Sequence, residues 1–450
     1  MANQGQHFVA VIGGAVSGSV CTEILADKGI KVAVIEQNSR PYGKIEDGLP
    51  RWHVEQRRQE YARIDARMKK PGVYFVPNTK IGRDVDFNDL CTKWGFSAVI
   101  LANGAWRDRD LGVPGADDYV EKGLYYQNPF IYWYNHKNEK TYDGPKLEAP
   151  DETIVVGGGL ASIDVVKVLQ LENYERALSA RGFKVDMHEL EKRGVPAVCK
   201  DLGVDPKELG VKGCLLIYRR RVQDMPLQQP PDNATAEQIA KTEQVRQKVL
   251  RLAQDKFLFR VQDCTLTQGI LVENGRMVGL KVVRTKVEGR KADPIPGTEQ
   301  DLRAPLVISS IGSVPEKIPG VMMKGEYYTF ADENTLPRYT GCDDAVFGVG
   351  NVVTGQGNIR VSLVHSQKVT NELIARYILG DGDLSAVYAA KEALAGAEAG
   401  AVEIKVKALP ALSTQQTVAL EQRITAQQRK VGYTSDYDSW IAKVTPPDLE

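Results

Sequence analysis

Short unbroken apolar runs alternate along this chain with glycine turns and helical stretches. The first such unit is "FVAVIGGAVSGSVCTEILADKGIKVAVIE" (8–36): an apolar strand, a glycine turn, a helical stretch, then a second strand ending in an acid. That is a βαβ order. A second unit opens at "TIVVGGGLASIDVVKVL" (153–169), and its helix runs on to about residue 180. Its second strand comes late. An inserted helical segment near 181–213 precedes "CLLIY" (214–218), a buried-strand pattern that Arg219, Arg220 and Arg221 follow directly. Residues 274–315 predict hairpins, 317–350 end in the apolar strand "AVFGVG", and 359–379 predict a long helix. After Gly380 the composition shifts, with helical periodicity over 413–430 and the aromatics Tyr433, Tyr437 and Trp440. That stretch reads as an appended packing or oligomerisation segment.

The two glycine turns carry chemistry. In the first, Gly13-Gly14-Ala15-Val16-Ser17-Gly18 matches G-x-G-x-x-G with Ala15 in the second glycine's place. Gly13 permits the tight turn, the small Ala15 lets backbone N–H groups approach a pyrophosphate, and Gly18 lets helix and strand pack closely. Glu36, followed by Gln37, stands where a carboxylate accepts hydrogen bonds from ribose hydroxyls. In the second turn Gly157 and Gly159 take the first two glycine positions, Gly158, Leu160 and Ala161 complete the loop, and Ser162 takes the third. Arg219 and Arg220 then occupy the place that Glu36 holds in the first unit. A carboxylate there repels a 2′-phosphate, whereas arginine pairs with it bidentately. The first loop therefore reads as an FAD site and the second as an NADP site, with Arg221 facing solvent. A tight strand–helix turn with a surface Glu36, and a solvated or docking basic strand end, are the plainer alternatives.

Composition narrows the class. The chain of 450 residues suggests two to four domains at roughly 150 residues each. Lys+Arg 58 against Asp+Glu 58 leaves no net field to favour nucleic acid or an acidic membrane. No apolar run is long enough to span a bilayer, and the start has no basic n-region of a signal peptide. The 6 cysteines are dispersed with no C-x-x-C, so a redox dithiol, a zinc site and an iron–sulfur cluster of the usual spacing are not expected. A reducing, cytoplasmic setting fits.

The chain resembles the flavoprotein family of adrenodoxin reductase and the bacterial ferredoxin–NADP reductases like it, and the flavin-containing small subunit of glutamate synthase. The resemblance covers about residues 8–380. It rests on "EQNSRPYGKIEDGLPRWH" (36–53), "LANGAWRDRDLGVPG" (101–115), "VGGGLASIDVVKVL", "YRRRVQDMP" and "VFGVGNVVTGQGNI" (346–359). It implies an α/β fold of two Rossmann-like, three-layer dinucleotide-binding domains with a helical C-terminal extension. The FAD domain would be discontinuous (1–104 and 313–380), the NADP domain inserted at 105–312, and the extension would span 381–450. It matches His53 to the active-site histidine near the flavin, and Lys44 to a flavin-contacting position that is apolar in the family. It also matches Asn351 to a position held by Trp or Asp, and Asn358–Ile359 to the start of a helix aimed at the flavin. Leu160 replaces the family's Asn.

With no dithiol, the expected route is a hydride from the nicotinamide to the flavin and single electrons onward to a ferredoxin or other iron–sulfur protein. Residues 55–70 place Arg57, Arg58, Arg63, Arg67, Lys69 and Lys70 against three acids on a helix behind His53. Such a face could steer an acidic ferredoxin, or be an ordinary solvated helix. The alternatives are an electron-input subunit of a larger complex of glutamate synthase or ferredoxin-oxidoreductase type, a flavin monooxygenase or reductase acting on a small organic substrate, and a nucleotide sensor.

Overall fold

The computed structural model describes residues 6–228, 230, 234–331, 338–342, 345–354, 385–434 and 436–447. The chain begins β1 (Phe8–Ile12), α1 (Val16–Asp27), β2 (Lys31–Ile35), α2 (Lys44–Asp47), α3 (Val54–Met68), β3 (Val73–Val76), α4 (Phe87–Thr92) and β4 (Ala98–Leu101). A short strand β5 (Arg107–Asp108) leads to β6 (Leu124–Tyr126), α5 (Gln127–His136), β7 (Ile154–Gly157) and α6 (Leu160–Ala180). Next come α7 (Met187–Arg193), α8 (Val195–Asp201), β8 (Leu215–Ile217), α9 (Ala236–Phe257) and β9 (Arg260–Gln262). The hairpin region is β10 (Thr265–Glu273), β11 (Arg276–Glu288), β12 (Lys291–Pro294) and β13 (Gln300–Arg303), followed by β14 (Val307–Ser310) and β15 (Ser313–Val314). Then follow β16 (Met323–Lys324), β17 (Tyr327–Tyr328), β18 (Phe330–Ala331), β19 (Arg338–Tyr339), β20 (Val346–Gly348) and α10 (Asn351–Thr354). Three helices close the described chain: α11 (Ser385–Lys407), α12 (Thr414–Lys430) and α13 (Tyr437–Val444).

Two mainly parallel sheets organise these elements. The first has the order β18-β19-β20-β4-β1-β2-β3, with β20, β4, β1, β2 and β3 mutually parallel. The second has the order β6-β14-β7-β8-β9, parallel throughout. β1, "FVAVI", is buried along its whole length, as a central parallel strand covered on both faces must be. The hairpins β10 to β13 form an antiparallel sheet of their own. β5 and β15, the two segments that connect the sheets, pair antiparallel, Arg107 with Val314 and Asp108 with Ser313. The α/β class with a helical C-terminal region is the architecture expected from the sequence.

The insertion near 181–213 packs on the outer side of the second sheet. α6 is buried on nearly all sides because α5, α7 and α9 cover the faces the sheet does not. Lys167, in the middle of α6, is fully buried and pairs with Glu191 of α7 at 2.5 Å. Gln170 donates to the carbonyls of Phe257 and Leu258, both at 2.9 Å, tying α6 to the end of α9.

Candidate dinucleotide-binding cavity

One cavity of about 1640 Å³ runs between the two parallel sheets and is lined by both glycine loops. At the first loop Gly13 has φ +97°, a conformation that L side chains rarely adopt. A Cβ on Gly18 would lie 1.9 Å from the Gly13 carbonyl oxygen, so only glycine fits where α1 crosses β1. Ala15 is the N-cap of α1 and gives no side-chain cap, so the first-turn amides of Val16 and Ser17 face the cavity without one. The same holds at the second loop, where Gly159 caps α6 without a side-chain bond. Other helices of this chain are capped by Asp86, Asp186, Thr235, Ser413 and Asp436. Two uncapped helix starts on one cavity fit two phosphate-bearing ligands.

Glu36 is 4% exposed and sits where β2 ends. Its carboxylate accepts from the Gly14 amide at 2.8 Å and the Asn38 amide at 2.9 Å. Burial pushes it up to about 7 against those two hydrogen bonds. Gln37, Lys44 and Asn351 line the same end. Gly14 and Gly18 support the loop from behind and do not face the cavity. Asn358 and Ile359 lie outside the described residues.

At the second loop Gly157, Gly158, Gly159, Leu160 and Ala161 all line the cavity, as do Arg219 and Arg220. A Cβ on Gly158 would lie 2.5 Å from the Tyr218 ring, so the loop's glycine lets that ring close against it. Ser162, in the third small-residue position, donates to the Ser310 carbonyl at 2.9 Å and locks α6 to β14. Arg220 is half-buried and oriented: its Nε donates to the Tyr218 hydroxyl at 3.0 Å and its Nη2 to the Asp224 carbonyl at 3.4 Å. Arg219 is exposed at the cavity edge. Arg221 faces neither cavity nor open solvent alone, because it forms a two-point ion pair with Asp224 at 2.8 and 2.9 Å. No residue of 181–213 lines the cavity, so the insertion leaves it open.

His53 is not part of the lining. It is 7% exposed, directly precedes α3, and accepts a hydrogen bond from the Trp52 indole at 3.0 Å on Nε2. Burial, with Lys167 and Arg57 nearby, holds its pKa well below the usual histidine range, so the ring is neutral at pH 7. The charges of α3 are also largely spoken for. Arg57 is buried and donates to the Glu46 carbonyl at 3.0 Å, and Arg63 pairs with Glu60. Arg67 bridges Glu23 and Glu392, Lys69 meets Asp438, and Lys70 meets Asp27 and Glu23. Arg58 remains exposed.

Lys44 was expected at this site from the sequence, but the groups around it were not. Lys44 donates to Asn128 Oδ1 at 3.0 Å and Ser313 Oγ at 3.2 Å, and burial lowers it to about 8. Asp108 beside it is pushed up to about 6 by burial, with Lys44 opposing. Asn103 Oδ1 is a buried acceptor without a hydrogen-bond partner, while its Nδ2 donates to the Tyr328 hydroxyl at 3.0 Å. α11 contributes Tyr388, Lys391 and Glu398. The signal for α11 was a run of small residues, since Ala395 and Ala399 are fully buried where the helix lies against α1.

No family model matches the chain. The glutamate synthase [NADPH] small chain of Escherichia coli (strain K12) is 24% identical over 384 residues, covering 81% of this chain and 68% of that protein. The mitochondrial NADPH:adrenodoxin oxidoreductase of Arabidopsis thaliana is 27% identical over 165 residues. That match covers 36% of this chain and 32% of the relative, about a third of each. The chain is a homologue of these oxidoreductases. Among solved structures, FprA, a Mycobacterium tuberculosis oxidoreductase, aligns with a TM-score of 0.64 at 17% identity, covering 94% of this chain and 91% of that one. A second FprA structure, in complex with NADPH, aligns with a TM-score of 0.62. These two likenesses establish the shared fold. Among the described residues no helix is long and apolar enough to cross a membrane.

Proposed function

We propose that the chain is an FAD-dependent NADPH oxidoreductase that passes reducing equivalents on to a ferredoxin or similar iron–sulfur protein. The observation behind this reading is the asymmetry of the single cavity. Both ends offer a glycine loop and an uncapped helix start, but one is overlooked by the Glu36 carboxylate and the other by Arg219 and Arg220. FAD has free ribose hydroxyls and suits the carboxylate, and NADPH has a 2′-phosphate and suits the arginines. The division into a unit of 1–104 with 313–380, and an inserted unit of 105–312, belongs to the same proposal.

A bound flavin supplies the capacity to take a hydride and to release electrons one at a time. This chain's residues do the rest. Gly13, Ala15 and Ser17 hold the first pyrophosphate, and Glu36 accepts from the ribose. Gly157 to Ala161 hold the second, and Arg220, already oriented by Tyr218, grips the 2′-phosphate. Lys44, Asp108, Asn128 and Ser313 form a hydrogen-bonded cluster at the joint between the sheets. His53 serves as a buried structural residue at the start of α3 rather than as a proton carrier, since it is neutral and does not face the cavity.

The test is direct. The isolated protein should be yellow, release FAD on denaturation, and be bleached anaerobically by NADPH faster than by NADH. Mixing the reduced protein with a ferredoxin should then restore the colour. A colourless protein that takes up no FAD would refute the proposal. The coverage by the Escherichia coli small chain favours a second form of the reading, in which the acceptor is a larger partner subunit. Co-purification with such a subunit would distinguish it.

A further inference from the structure

We infer that α11 supplies a cofactor-binding residue, Lys391, whose ammonium helps hold the pyrophosphate of the dinucleotide on the first glycine loop. The inference rests on the assignment of FAD to that loop.

α11 lies along α1, the helix that the loop starts. A Cβ on Gly396 would sit 3.7 Å from Ile24 and 3.8 Å from Val20. Arg67 pins the next turn, reaching Glu392 at 2.9 Å, Ser19 at 3.3 Å and Glu23 at 3.0 Å. Glu398 accepts from the Gly350 amide at 2.6 Å, and Gly350 in turn presses on Ser17. These three contacts fix how α11 is turned, and Lys391 faces the cavity as a result.

Lys391 is half-buried at the cavity wall, and burial lowers its pKa. Among the described residues it forms no ion pair or hydrogen bond, and its ammonium rests over the Tyr388 ring at 5.1 Å. Lys44 enters from the other side. Its neighbour Gly43 packs so tightly on Ala15, the N-cap of α1, that a Cβ there would lie 2.8 Å from the alanine's. Lys391 and Lys44 feel each other, since Lys391 adds to the depression of Lys44 that burial begins. Among the described residues no acid pairs directly with Lys391. Asp108 and Asp47 act on Lys44, Glu60 acts on Lys391 without a hydrogen bond to it, and Glu398 is engaged by the Gly350 amide and pushed up to about 7 by burial. A half-buried ammonium near a second cation and a bare helix start is costly alone and favourable beside an anion. A pyrophosphate carries two negative charges and needs that helix start.

Apoprotein is titrated with FAD, ADP and adenosine, following flavin fluorescence for FAD and heat for the others. Lys391→Met should weaken FAD and ADP about tenfold or more, with a shallower salt dependence, and leave adenosine within about twofold. Lys391→Arg should stay within about threefold of wild type, which separates charge from folding. NADP⁺ binding to the FAD-loaded variants should be unchanged. Equal losses for ADP and adenosine, a loss confined to NADP⁺, or full FAD affinity in Lys391→Met would each overturn the inference. If wild-type apoprotein does not bind FAD at all, the assignment of the first loop falls instead.

Discussion

The two arginines after β8 allow a quantitative test of nucleotide choice. Arg220 is half-buried and held by Tyr218 and Asp224, so it meets a phosphate with little ordering cost. Such a charge-assisted contact contributes about 1.5–3 kcal/mol. Arg219 is exposed, where screening limits an ion pair to about 0.2–1 kcal/mol. Replacing both with alanine should therefore cost about 2–4 kcal/mol toward NADPH, or roughly thirty- to several-hundredfold in kcat/KM. NADH lacks the 2′-phosphate and should change by no more than about threefold. Arg220→Ala alone should account for most of the loss, and Arg221→Ala for little, because Arg221 is committed to Asp224. The assay is steady-state reduction of ferricyanide with either nucleotide, which needs no protein acceptor. Equal losses for NADPH and NADH, or a larger effect from Arg219 than from Arg220, would refute the reasoning.

Three further outcomes follow from buried charge. Glu36 is pushed up to about 7, so the apoprotein loses stability as pH rises from about 4.5 through 7, by roughly 3 kcal/mol. Glu36→Gln should flatten that part of the melting-temperature profile while weakening FAD binding. His53 has the opposite sign, since its folded pKa lies below the usual 6.5. Stability should fall as pH drops below about 6.5, and His53→Gln should remove that share of the acid loss in urea titrations without changing the pH dependence of NADPH oxidation. Lys167→Met should destabilise by about 3–5 kcal/mol by leaving Glu191 buried and unpaired, and Lys167→Met with Glu191→Leu should recover most of it.

Much of this was legible in the sequence because local sterics and chain order set it. The unbroken run of β1, the positive φ at Gly13 and the close crossing at Gly18 are each dictated by residue type. The contrast between Glu36 and Arg219–Arg220 was visible because both lie just past a strand that ends at the cavity. Contacts that depend on how distant elements dock were not legible. The charges of α3 looked like a free basic face, yet their partners Glu392 and Asp438 lie more than 300 residues away in sequence. His53 gave no sign that it would be turned from the cavity toward Trp52. Lys391 sits in a stretch that read only as an appended packing or oligomerisation segment, and composition does not say which neighbour such a segment will meet.

The C-terminal helices hold the first sheet at several points. Gln428 donates to the Phe75 carbonyl at 2.8 Å, Trp440 to the Ser39 carbonyl at 2.8 Å, and Tyr437 to Asp65 at 2.7 Å. This has a consequence for the order of events during synthesis. The strand and loop that begin the first nucleotide site leave the ribosome early, but α11, which walls that site, follows nearly four hundred residues later. At about 5–20 residues per second, that leaves roughly 20–75 s in which the site lacks a side. Cofactor capture should therefore be a late event, after α11 has emerged, and the exposed flank of α1 is where a chaperone would find its hold in the meantime.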